Sequence, residues 1–288
     1  MNKSTHNHVR DTLRANKLNM KKRFGQNYLL DDNVLKRIIE TASLEPHTPV
    51  IEIGPGVGSL TRYLLEATPK VMAYEIDTDL TEVLSDMFED HQAFVLKSRD
   101  FLKTPLNEDI KDTFGPVHDV VVVANLPYYI TTPVIMKCLE NSERLRRLVF
   151  MMQNEVALRL SAKPNSKAYN ALSVMIQYKT RTQYAFKVPR TVFMPAPEVD
   201  SAVVTMDIVP RSERPALDED FFLDFVKRAF KQKRKTLVNN LHAAYDISKD
   251  ALNGYLTHHG YNEDVRAEAL TVEDFLYLSE MFQQEFMQ

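Results

Sequence analysis

Cysteine is almost absent from this sequence, since Cys138 is the only one among 288 residues. A single cysteine excludes a scaffold of intramolecular disulfides and is typical of a reducing compartment, so we expect a cytoplasmic protein. The longest apolar runs, residues 120–124 and 148–152, are far shorter than the ~20 residues of a membrane-spanning helix, so we expect no association with a membrane. The first residues are polar and lack the apolar stretch of a signal peptide.

A strong excess of one charge is also missing, because 36 Lys and Arg against 39 Asp and Glu give a net charge of −3. The charges are nevertheless segregated along the chain. Basic residues dominate residues 1–23, 140–190 and 227–235, whereas residues 246–288 are acidic. Any one of these stretches is typical of a solvated helix face. Three basic stretches beside an acidic one favour a one-sided basic surface that binds a phosphate backbone.

Predicted strands alternate with predicted helices along most of the chain. Segments 50–53, 70–74, 93–97, 120–124 and 147–152 are typical of buried strands, and helical patterns separate them. This alternation predicts an α/β fold with a mostly parallel, doubly wound sheet that has helices on both faces. From Phe221 onwards the pattern is helical throughout. We therefore predict a larger domain at residues 1–210, with a basic N-terminal arm at 1–23, and a small helical domain at 211–288.

Glycine is scarce as well, and three of the seven glycines, Gly54, Gly56 and Gly58, fall between one predicted strand and the next helix. Glycines in such a turn let the backbone bend tightly and let a ligand approach it closely. The spacing G-x-G-x-G differs from the G-x-G-x-x-G of dinucleotide sites, and Pro55 in the turn also disfavours a nicotinamide nucleotide. Because a glycine turn is sometimes purely structural, it indicates a cofactor site only together with other signs.

Two carboxylates end the next two predicted strands. Glu75 comes 17 residues after Gly58, where a carboxylate can accept hydrogen bonds from both hydroxyl groups of a ribose. Asp100 ends the third strand, where it could accept a hydrogen bond from the amine of an adenine ring. Each alone is equally typical of a helix cap, but the carboxyl ends of parallel strands meet at one edge of a sheet. We therefore expect a nucleoside-binding site at that edge.

The segment Asn125-Leu126-Pro127-Tyr128 follows the fourth predicted strand and indicates the class of reaction. Asn125 supplies an amide acceptor, and Pro127, which has no N–H, rigidifies the turn and leaves backbone carbonyls free to accept hydrogen bonds. Such groups can bind both hydrogens of a planar exocyclic amine while the ring of Tyr128 stacks on the heterocycle. This arrangement would aim the lone pair of the amine nitrogen at an electrophilic methyl group, although similar turns also close ordinary strands.

Taken together, these motifs resemble those of the S-adenosylmethionine-dependent adenine N6-methyltransferases that dimethylate ribosomal RNA, which have a Rossmann-like class I methyltransferase fold. The resemblance extends from about residue 21 to residue 241. It is also carried by Phe24-Gly25-Gln26-Asn27-Tyr28-Leu29, by the segment 188–203 around Phe193, and by Lys231–Leu241, which is similar to a helix in the family's C-terminal domain. Within the family, the sequence resembles the members that dimethylate two adjacent adenosines near the 3′ end of 16S rRNA.

The resemblance implies roles for individual residues. Those implied to bind S-adenosylmethionine are Asn27, Leu29, Gly54, Gly56, Glu75, Asp100 and Asn125. Asn125, Leu126, Pro127 and Tyr128 would hold the target adenine, with Phe193 stacking on its other face. The larger domain would be the catalytic one. The implied partner is 16S rRNA in the small ribosomal subunit or its precursor, during ribosome biogenesis, and we expect a monomeric enzyme that binds the RNA through its phosphates.

The sequence departs from the family pattern at three places. Tyr28 stands where phenylalanine is common, which is a conservative change. Residues 98–99, Ser and Arg, precede Asp100 where the family often has glycine. Residues 190–191, Arg and Thr, replace a Pro-Gly type of turn. These departures concern the loop that contains Asp100 and the loop before Phe193.

A metal ion is not expected in this site. S-adenosylmethionine carries its own activation in the sulfonium, so the protein mainly has to orient and stack the reactants. His258 and His259 are adjacent and lack the spacing of metal ligands on a helix. We expect His6 and His8 to lie in a flexible N-terminal arm, and Cys138 to be a core residue.

Three other functions share parts of these motifs. A 23S rRNA adenine methyltransferase of the antibiotic-resistance type has the same fold and the Asn-Leu-Pro-Tyr motif, but residues 199–203 and 233–237 favour the small-subunit enzyme. A non-catalytic nucleic-acid-binding protein on the same fold, as among mitochondrial transcription factors, is disfavoured because Glu75, Asp100 and Asn125 are intact. A nicotinamide oxidoreductase is disfavoured by the glycine spacing and by residues 125–128.

Overall fold

A computed structural model describes residues 4–18, 25–216 and 218–287. The α-helices in these residues are α1 (Thr5–Ala15), α2 (Asp32–Ala42), α3 (Ser59–Ala67), α4 (Thr78–Met87), α5 (Leu106–Phe114), α6 (Thr131–Glu140), α7 (Asn154–Leu160), α8 (Ala171–Lys179), α9 (Glu219–Ala229), α10 (Leu237–Tyr245), α11 (Lys249–His258) and α12 (Val272–Phe286). The strands are β1 (Tyr28–Leu29), β2 (Val50–Ile53), β3 (Val71–Glu75), β4 (Phe94–Ser98), β5 (Val120–Asn125), β6 (Leu145–Gln153), β7 (Thr180–Val188), β8 (Phe193–Met194) and β9 (Ser201–Ile208).

Seven of these strands form one sheet in the order β4-β3-β2-β5-β6-β9-β7. Neighbouring strands from β4 to β6 run parallel, with Val50 of β2 opposite both Val71 of β3 and Val121 of β5. β9 pairs with β6 in the antiparallel direction. The chain moves outwards from β2 in one direction and from β5 in the other, so the strand order reverses between them. The predicted α/β fold with a mostly parallel, doubly wound sheet is confirmed.

The central strands lie in the hydrophobic core. Residues 120–124 of β5 are at most 2% exposed, and β2 is buried along its whole length. A strand that is covered on both faces needs apolar residues at successive positions, which explains the run of four valines in β5. Glu52 is the polar exception in β2 and is buried with its neighbours.

A second, two-stranded sheet fixes the segment that precedes α2. β1 and β8 pair in the antiparallel direction, with Tyr28 opposite Met194 and Leu29 opposite Phe193. Leu29 and Phe193 both pack in a core cluster that includes Val123 of β5. The pairing therefore holds residues 28–29 against the central part of the larger sheet.

The chain divides into two compact units, Met1–Ala157 with Gln183–Ile208, and Leu158–Thr182 with Val209–Gln288. The second unit is mainly helical and has its own aromatic core, in which Phe222, Phe225 and Phe275 are buried. The predicted division at residue 210 placed residues 158–182 in the larger domain, whereas the structure places them in the helical unit. Residues 158–182 group with the helical unit because side chains such as Tyr169 and Val174 pack in its core.

The N-terminal arm is helical where it is described. Residues Thr5–Ala15 form α1, in which Thr5 and Val9 are buried. The expectation that His6 and His8 lie in a flexible arm is therefore wrong. Residues 19–24, which include three of the predicted basic residues of the arm and the start of the Phe-Gly-Gln-Asn motif, lie outside the described residues.

Two further segments differ from the sequence-based expectations. β7, at Thr180–Val188, is a strand that the sequence pattern did not indicate. The segment Lys231–Leu241 is helical only from Leu237, where α10 begins after a turn.

Within the three described ranges, no helix combines the length and the apolar character that crossing a membrane requires.

Candidate functional site

One cavity of about 220 Å³ lies at the carboxyl ends of β2, β3, β4 and β5 in the first unit. Parallel sheets bind ligands in the crevice where their strand order reverses, and here that reversal is between β2 and β5. Ten of the predicted site residues line the cavity: Asn27, Leu29, Gly54, Gly56, Glu75, Asp100, Asn125, Leu126, Pro127 and Tyr128. The fold therefore brings together residues that are up to about a hundred positions apart in the sequence.

The glycine turn after β2 passes close to the ring of Tyr28. Gly56 has a φ of +60°, a conformation that residues with a side chain rarely adopt. A Cβ atom at this position would lie only 3.1 Å from Cε1 of Tyr28. Both the backbone conformation and the neighbouring ring therefore require glycine at residue 56, and the turn presents bare backbone to the cavity.

Glu75 is joined to this turn by a hydrogen bond. The residue is 6% exposed, and its carboxylate accepts hydrogen bonds from the N–H of Gly56 at 3.2 Å and from those of Ile76 and Asp77 at 2.9 Å each. Burial raises the pKa of Glu75, and the three N–H donors oppose that rise. The carboxylate and the glycine turn thus form one rigid wall of the cavity.

Asp100 and Arg99 lie at another edge of the cavity, after β4. Asp100 caps the short turn that follows, since its Oδ1 accepts a hydrogen bond from Leu102 N at 3.0 Å. Arg99, one of the departures from the family pattern, also lines the cavity and forms an ion pair with the buried Asp109. Asp109 accepts a further hydrogen bond, of 2.8 Å, from the hydroxyl of Tyr74. The structure therefore accommodates the arginine by fixing its guanidinium beside the cavity.

Asn125, at the end of β5, is oriented by the segment before β1. Its Nδ2 donates a hydrogen bond to the backbone carbonyl of Asn27 at 3.1 Å. This bond engages the donor end of the amide, so the acceptor Oδ1 is left to bind a ligand. The next residue, Leu126, is fixed to β6 because its N–H donates to the carbonyl of Met151 at 3.1 Å.

The two carbonyls around Pro127 have different surroundings. The Pro127 carbonyl accepts hydrogen bonds from Ile130 N at 3.2 Å and from Thr131 Oγ1 at 3.4 Å. No donor among residues 4–18, 25–216 and 218–287 bonds to the carbonyl of Leu126. The carbonyl of Leu126 is therefore open to a hydrogen-bond donor of a ligand, as the motif predicts.

Two predicted aromatic residues lie in different environments. The hydroxyl of Tyr128 lies 2.8 Å from Ser201 Oγ, which fixes its ring at the cavity, and burial raises the pKa of this hydroxyl. Phe193 does not line the cavity: it is 4% exposed and packs in the core cluster beside its strand partner Leu29. The structure thus brings Tyr128 to the other site residues, whereas Phe193 lies outside the cavity lining. The stacking role of Phe193 stays a prediction.

Sequence reasoning did not single out two exposed apolar residues at the cavity. Ile76 and Tyr129 line it and are 47% and 60% exposed. The ring of Tyr129 packs over Gly25, where a Cβ atom would lie 3.3 Å from it. Ile76 directly follows Glu75, and Tyr129 directly follows Tyr128. This adjacency to predicted site residues is the sequence feature that could have identified them.

Glu52 is a further cavity residue to which the sequence analysis gave no role. It lies in β2, and Thr61 Oγ1 donates a hydrogen bond to its Oε2 at 2.6 Å. Burial raises the pKa of Glu52 to about 8, and the charge of Glu75 adds to the rise, which the bond from Thr61 opposes. Glu52 is therefore mostly protonated at pH 7. In the sequence, an acidic residue within an apolar strand could have identified Glu52 as a functional candidate.

We expect the free energy of unfolding of the free protein to fall as the pH rises from about 4.5 to about 8. In this range the folded protein holds the Glu52 proton, whereas the unfolded chain, with an ordinary pKa of 4.5, has lost it. The contribution is at most about 1.4 kcal/mol per pH unit. Urea unfolding at a series of pH values measures it. Glu52→Gln should flatten the pH dependence, and Glu66→Gln on the exposed face of α3 should leave it unchanged. An unchanged slope in Glu52→Gln would contradict the assignment.

Helix α1 is fastened to the glycine turn and to α2. Thr5 N donates a hydrogen bond to Asp32 Oδ1 at 3.1 Å, and the hydroxyl of Tyr63 donates to the same oxygen at 2.6 Å. His8 Nε2 lies 2.9 Å from the carbonyl of Val57, which is part of the glycine turn. Because a carbonyl can only accept, the His8 ring donates through Nε2–H. The helix therefore supports the turn from outside the cavity lining.

Loss of the His8 side chain should weaken ligand binding at the turn. A hydrogen bond of this kind contributes about 1 kcal/mol, so we expect His8→Ala to raise the dissociation constant for a nucleoside cofactor about fivefold. His6→Ala, at an exposed position on the same helix, is the matched control. Isothermal titration calorimetry measures both variants. Equal affinity of the two would show that His8 does not position the turn, whereas rescue by His8→Gln would support the hydrogen bond.

A metal ion has no evident binding site in the described ranges, where no three His, Cys, Asp or Glu side chains are grouped to hold one. Cys138 is a buried free thiol of α6. Its pKa is raised by burial, so the thiol is not a nucleophile at neutral pH.

Comparisons with known proteins agree on one family. The model of the family described as "Ribosomal RNA adenine dimethylase" matches residues 17–284. The Ribosomal RNA small subunit methyltransferase A of Lactococcus lactis subsp. lactis is 45% identical to this chain over 276 residues, which are 94% of this chain and 93% of that protein.

Solved structures are similar over nearly the same length. A dimethyladenosine transferase from Plasmodium falciparum superposes with a TM-score of 0.73 and 27% identity, over 89% of this chain and 97% of that one. The 23S rRNA methyltransferase ErmE superposes with a TM-score of 0.68 and 27% identity, over 88% of this chain and 98% of that one.

Proposed function

Because this chain belongs to the ribosomal RNA adenine dimethylase family, we propose that it dimethylates N6 of two adjacent adenosines near the 3′ end of 16S rRNA, with S-adenosylmethionine as the methyl donor. The family expected from the motifs is thereby confirmed. The observation that carries the proposal is the orientation of Asn125, whose amide is held by Asn27 with its acceptor oxygen left for a ligand, beside the wall that Glu75 and Gly56 form.

The similarity to small-subunit enzymes supports the choice of ribosomal subunit. The relative named for the small subunit is 45% identical, whereas the structurally similar 23S enzyme is 27% identical. Both similarities extend over most of the chain, so this difference does not come from a difference in coverage. We therefore propose 16S rRNA within the small subunit or its precursor as the substrate.

The cavity residues fit the proposed cofactor. The Glu75 carboxylate accepts two backbone N–H groups at Oε1 and one at Oε2, so Oε2 retains a lone pair for a ribose hydroxyl, while Gly56 lets the ligand approach the backbone closely. Asp100, at the neighbouring strand end, suits the amine of an adenine ring. The buried carboxyls of Glu52 and Glu75 suit a cationic ligand, because a positive charge would lower their raised pKa values. When bound, the cofactor supplies a methyl group that is already activated by the sulfonium.

The acceptors of the Asn-Leu-Pro-Tyr turn suit the amine of the target adenine. Asn125 Oδ1 and the Leu126 carbonyl would accept the two N6 hydrogens, which draws the nitrogen lone pair out of conjugation with the ring and towards the methyl group. Transfer of the methyl group from the sulfonium to N6 would leave the S–C electron pair on sulfur, and N6 would release a proton to water. Tyr128 is held by Ser201 where it can stack on the base, which offsets part of the cost of unstacking it from the RNA.

A methylation assay on separated ribosomal subunits tests this function. Small and large subunits that lack the modification are incubated with the enzyme and S-adenosylmethionine carrying a labelled methyl group. We expect label in the small subunit alone, and mapping should place dimethyladenosine at two adjacent positions near the 3′ end of its RNA. Asn125→Ala serves as the inactive control.

Other outcomes of the same assay would point to other functions. Label in the large subunit alone would overturn the proposal in favour of a 23S rRNA enzyme of the antibiotic-resistance type. Binding of S-adenosylmethionine without label in either subunit or in naked rRNA would favour a non-catalytic nucleic-acid-binding protein.

A further inference from the structure

We propose that the exposed face of α1 is a docking surface for phosphates of the RNA substrate, fixed directly behind the cofactor turn. The inference rests on the proposed function, since it names the part of the chain that holds the RNA backbone near the same site. It assigns the N-terminal helix two faces with different tasks. The inner face supports the turn, and the outer face binds the partner.

The outer face of α1 has more basic than acidic side chains, and Asp11 is its one acidic residue. Arg10 and Arg14 are exposed and one helical turn apart, so their side chains lie on the same side of the helix. Lys17 is exposed just after the end of the helix, and His6 lies one turn before Arg10. Neither arginine has an ion-pair partner among the described residues. Two guanidinium groups at this spacing are free to bind successive phosphates of an RNA strand.

The inner face of α1 places these charges close to the cavity. Val9 is fully buried in a cluster with Tyr28, Val57 and Leu80. Tyr28 and Leu80 also line the cofactor cavity, and Val57 belongs to the glycine turn. A single layer of side chains therefore separates the helix from the cavity, and an RNA strand on α1 would lie beside the cofactor site.

The anchoring of α1 distinguishes it from an unstructured basic tail. The bonds from Thr5 to Asp32 and from His8 to Val57 hold both the first turn and the middle of the helix. A helix that is already ordered loses little conformational entropy when it binds, whereas a flexible arm would have to be ordered at that moment. Fixed charges also place the RNA backbone at a set distance from the reacting groups, which phosphate contacts on a mobile arm would not do.

The first test measures the salt dependence of RNA affinity. The double variant Arg10→Gln/Arg14→Gln should lose two phosphate contacts, so the slope of log K against log salt should become shallower by about 1.4 to 1.8. The affinity for naked 16S rRNA should fall about tenfold or more at 0.1 M salt. The affinity for S-adenosylmethionine should stay unchanged, because neither side chain lines the cavity. The matched control, Lys36→Gln/Lys111→Gln, removes two exposed charges from α2 and α5. An equal change of slope in the control, or no change in the α1 variant, would overturn the proposal.

The second test locates the RNA directly. Because the one native cysteine, Cys138, is buried, a cysteine introduced at an exposed position can be labelled selectively with a photo-crosslinker. Arg14→Cys on α1 should crosslink to the RNA of the small subunit, and Lys36→Cys on α2 should do so far less. Crosslinking at equal levels from both positions, or from α2 alone, would refute docking on α1.

The two hypotheses fail in different ways. If the wild-type enzyme does not methylate the small subunit, the proposed function is wrong. If it does methylate the subunit while α1 shows neither the salt effect nor the crosslink, the function stands and the docking surface is wrong.

Discussion

Replacing Asn125 by alanine should lower the rate constant of methyl transfer by about a thousandfold, which corresponds to about 4 kcal/mol of transition-state stabilisation. The Asn125 amide is held by the Asn27 carbonyl at 3.1 Å, and no other side chain of the turn provides an acceptor at this position. Without Oδ1, one N6 hydrogen of the adenine has no acceptor, and the lone pair of the nitrogen stays conjugated with the ring. Single-turnover transfer of a labelled methyl group measures the effect.

The same variant should remain folded. It loses one hydrogen bond at a partly buried position, so we expect the free energy of unfolding to fall by only about 1 kcal/mol. Asn107→Ala on α5, away from the cavity lining, is the matched control and should keep full activity. Near-normal turnover by Asn125→Ala would refute the orienting role of the amide. A large loss of stability would instead attribute the lost activity to unfolding.

Replacing Glu75 by alanine should weaken the binding of S-adenosylmethionine about a hundredfold and leave RNA binding within about twofold. A hydrogen bond to a charged group contributes about 1.5 to 3 kcal/mol, and the ribose would lose at least one such bond. The variant also leaves three N–H groups of the turn, those of Gly56, Ile76 and Asp77, without their acceptor. Calorimetry measures cofactor binding, and filter binding measures RNA binding.

A surface carboxylate on the next helix provides the control for this experiment. Glu82 is exposed on α4, so Glu82→Ala changes the net charge by the same amount without touching the cavity. It should bind the cofactor like the wild type. Equal losses of cofactor and RNA affinity in Glu75→Ala would contradict the assignment of Glu75 to the ribose.

The parallel part of the sheet and most of the site could be predicted because they depend on local patterns. Runs such as the four valines of β5 have to be strands covered on both faces, and Glu75 and Asn125 stand directly at strand ends. Once strands are parallel, their carboxyl ends meet at one edge, so the proximity of these residues follows without any knowledge of side-chain contacts.

Elements that depend on tertiary contacts could not be predicted in the same way. α1 is rich in polar residues, and its order comes from the bonds of Thr5 to Asp32 and of His8 to Val57, partners that are 27 and 49 positions away. β7 lies at the end of the sheet order, and its alternation of buried and exposed residues is interrupted by half-buried positions. Because this alternation is weak, the sequence pattern did not indicate a strand at β7.

The position of Phe193 depends on a tertiary contact that the motif does not describe. The motif places an aromatic residue at this point of the chain, but only the pairing of β8 with β1 decides where the ring lies. In this structure that pairing puts Phe193 beside Leu29 in the core. No local signal in the sequence indicates this pairing.

The same pairing joins two parts of the chain that are synthesised at different times. Leu29 and Phe193 are paired although 164 positions separate them. At about 5 to 20 residues per second, a ribosome makes β8 roughly 8 to 33 seconds after β1. Until then the segment that contains Asn27 has no partner strand, and the carbonyl that orients Asn125 is not held in place. The part of the site that is translated first thus waits for a strand that is translated much later.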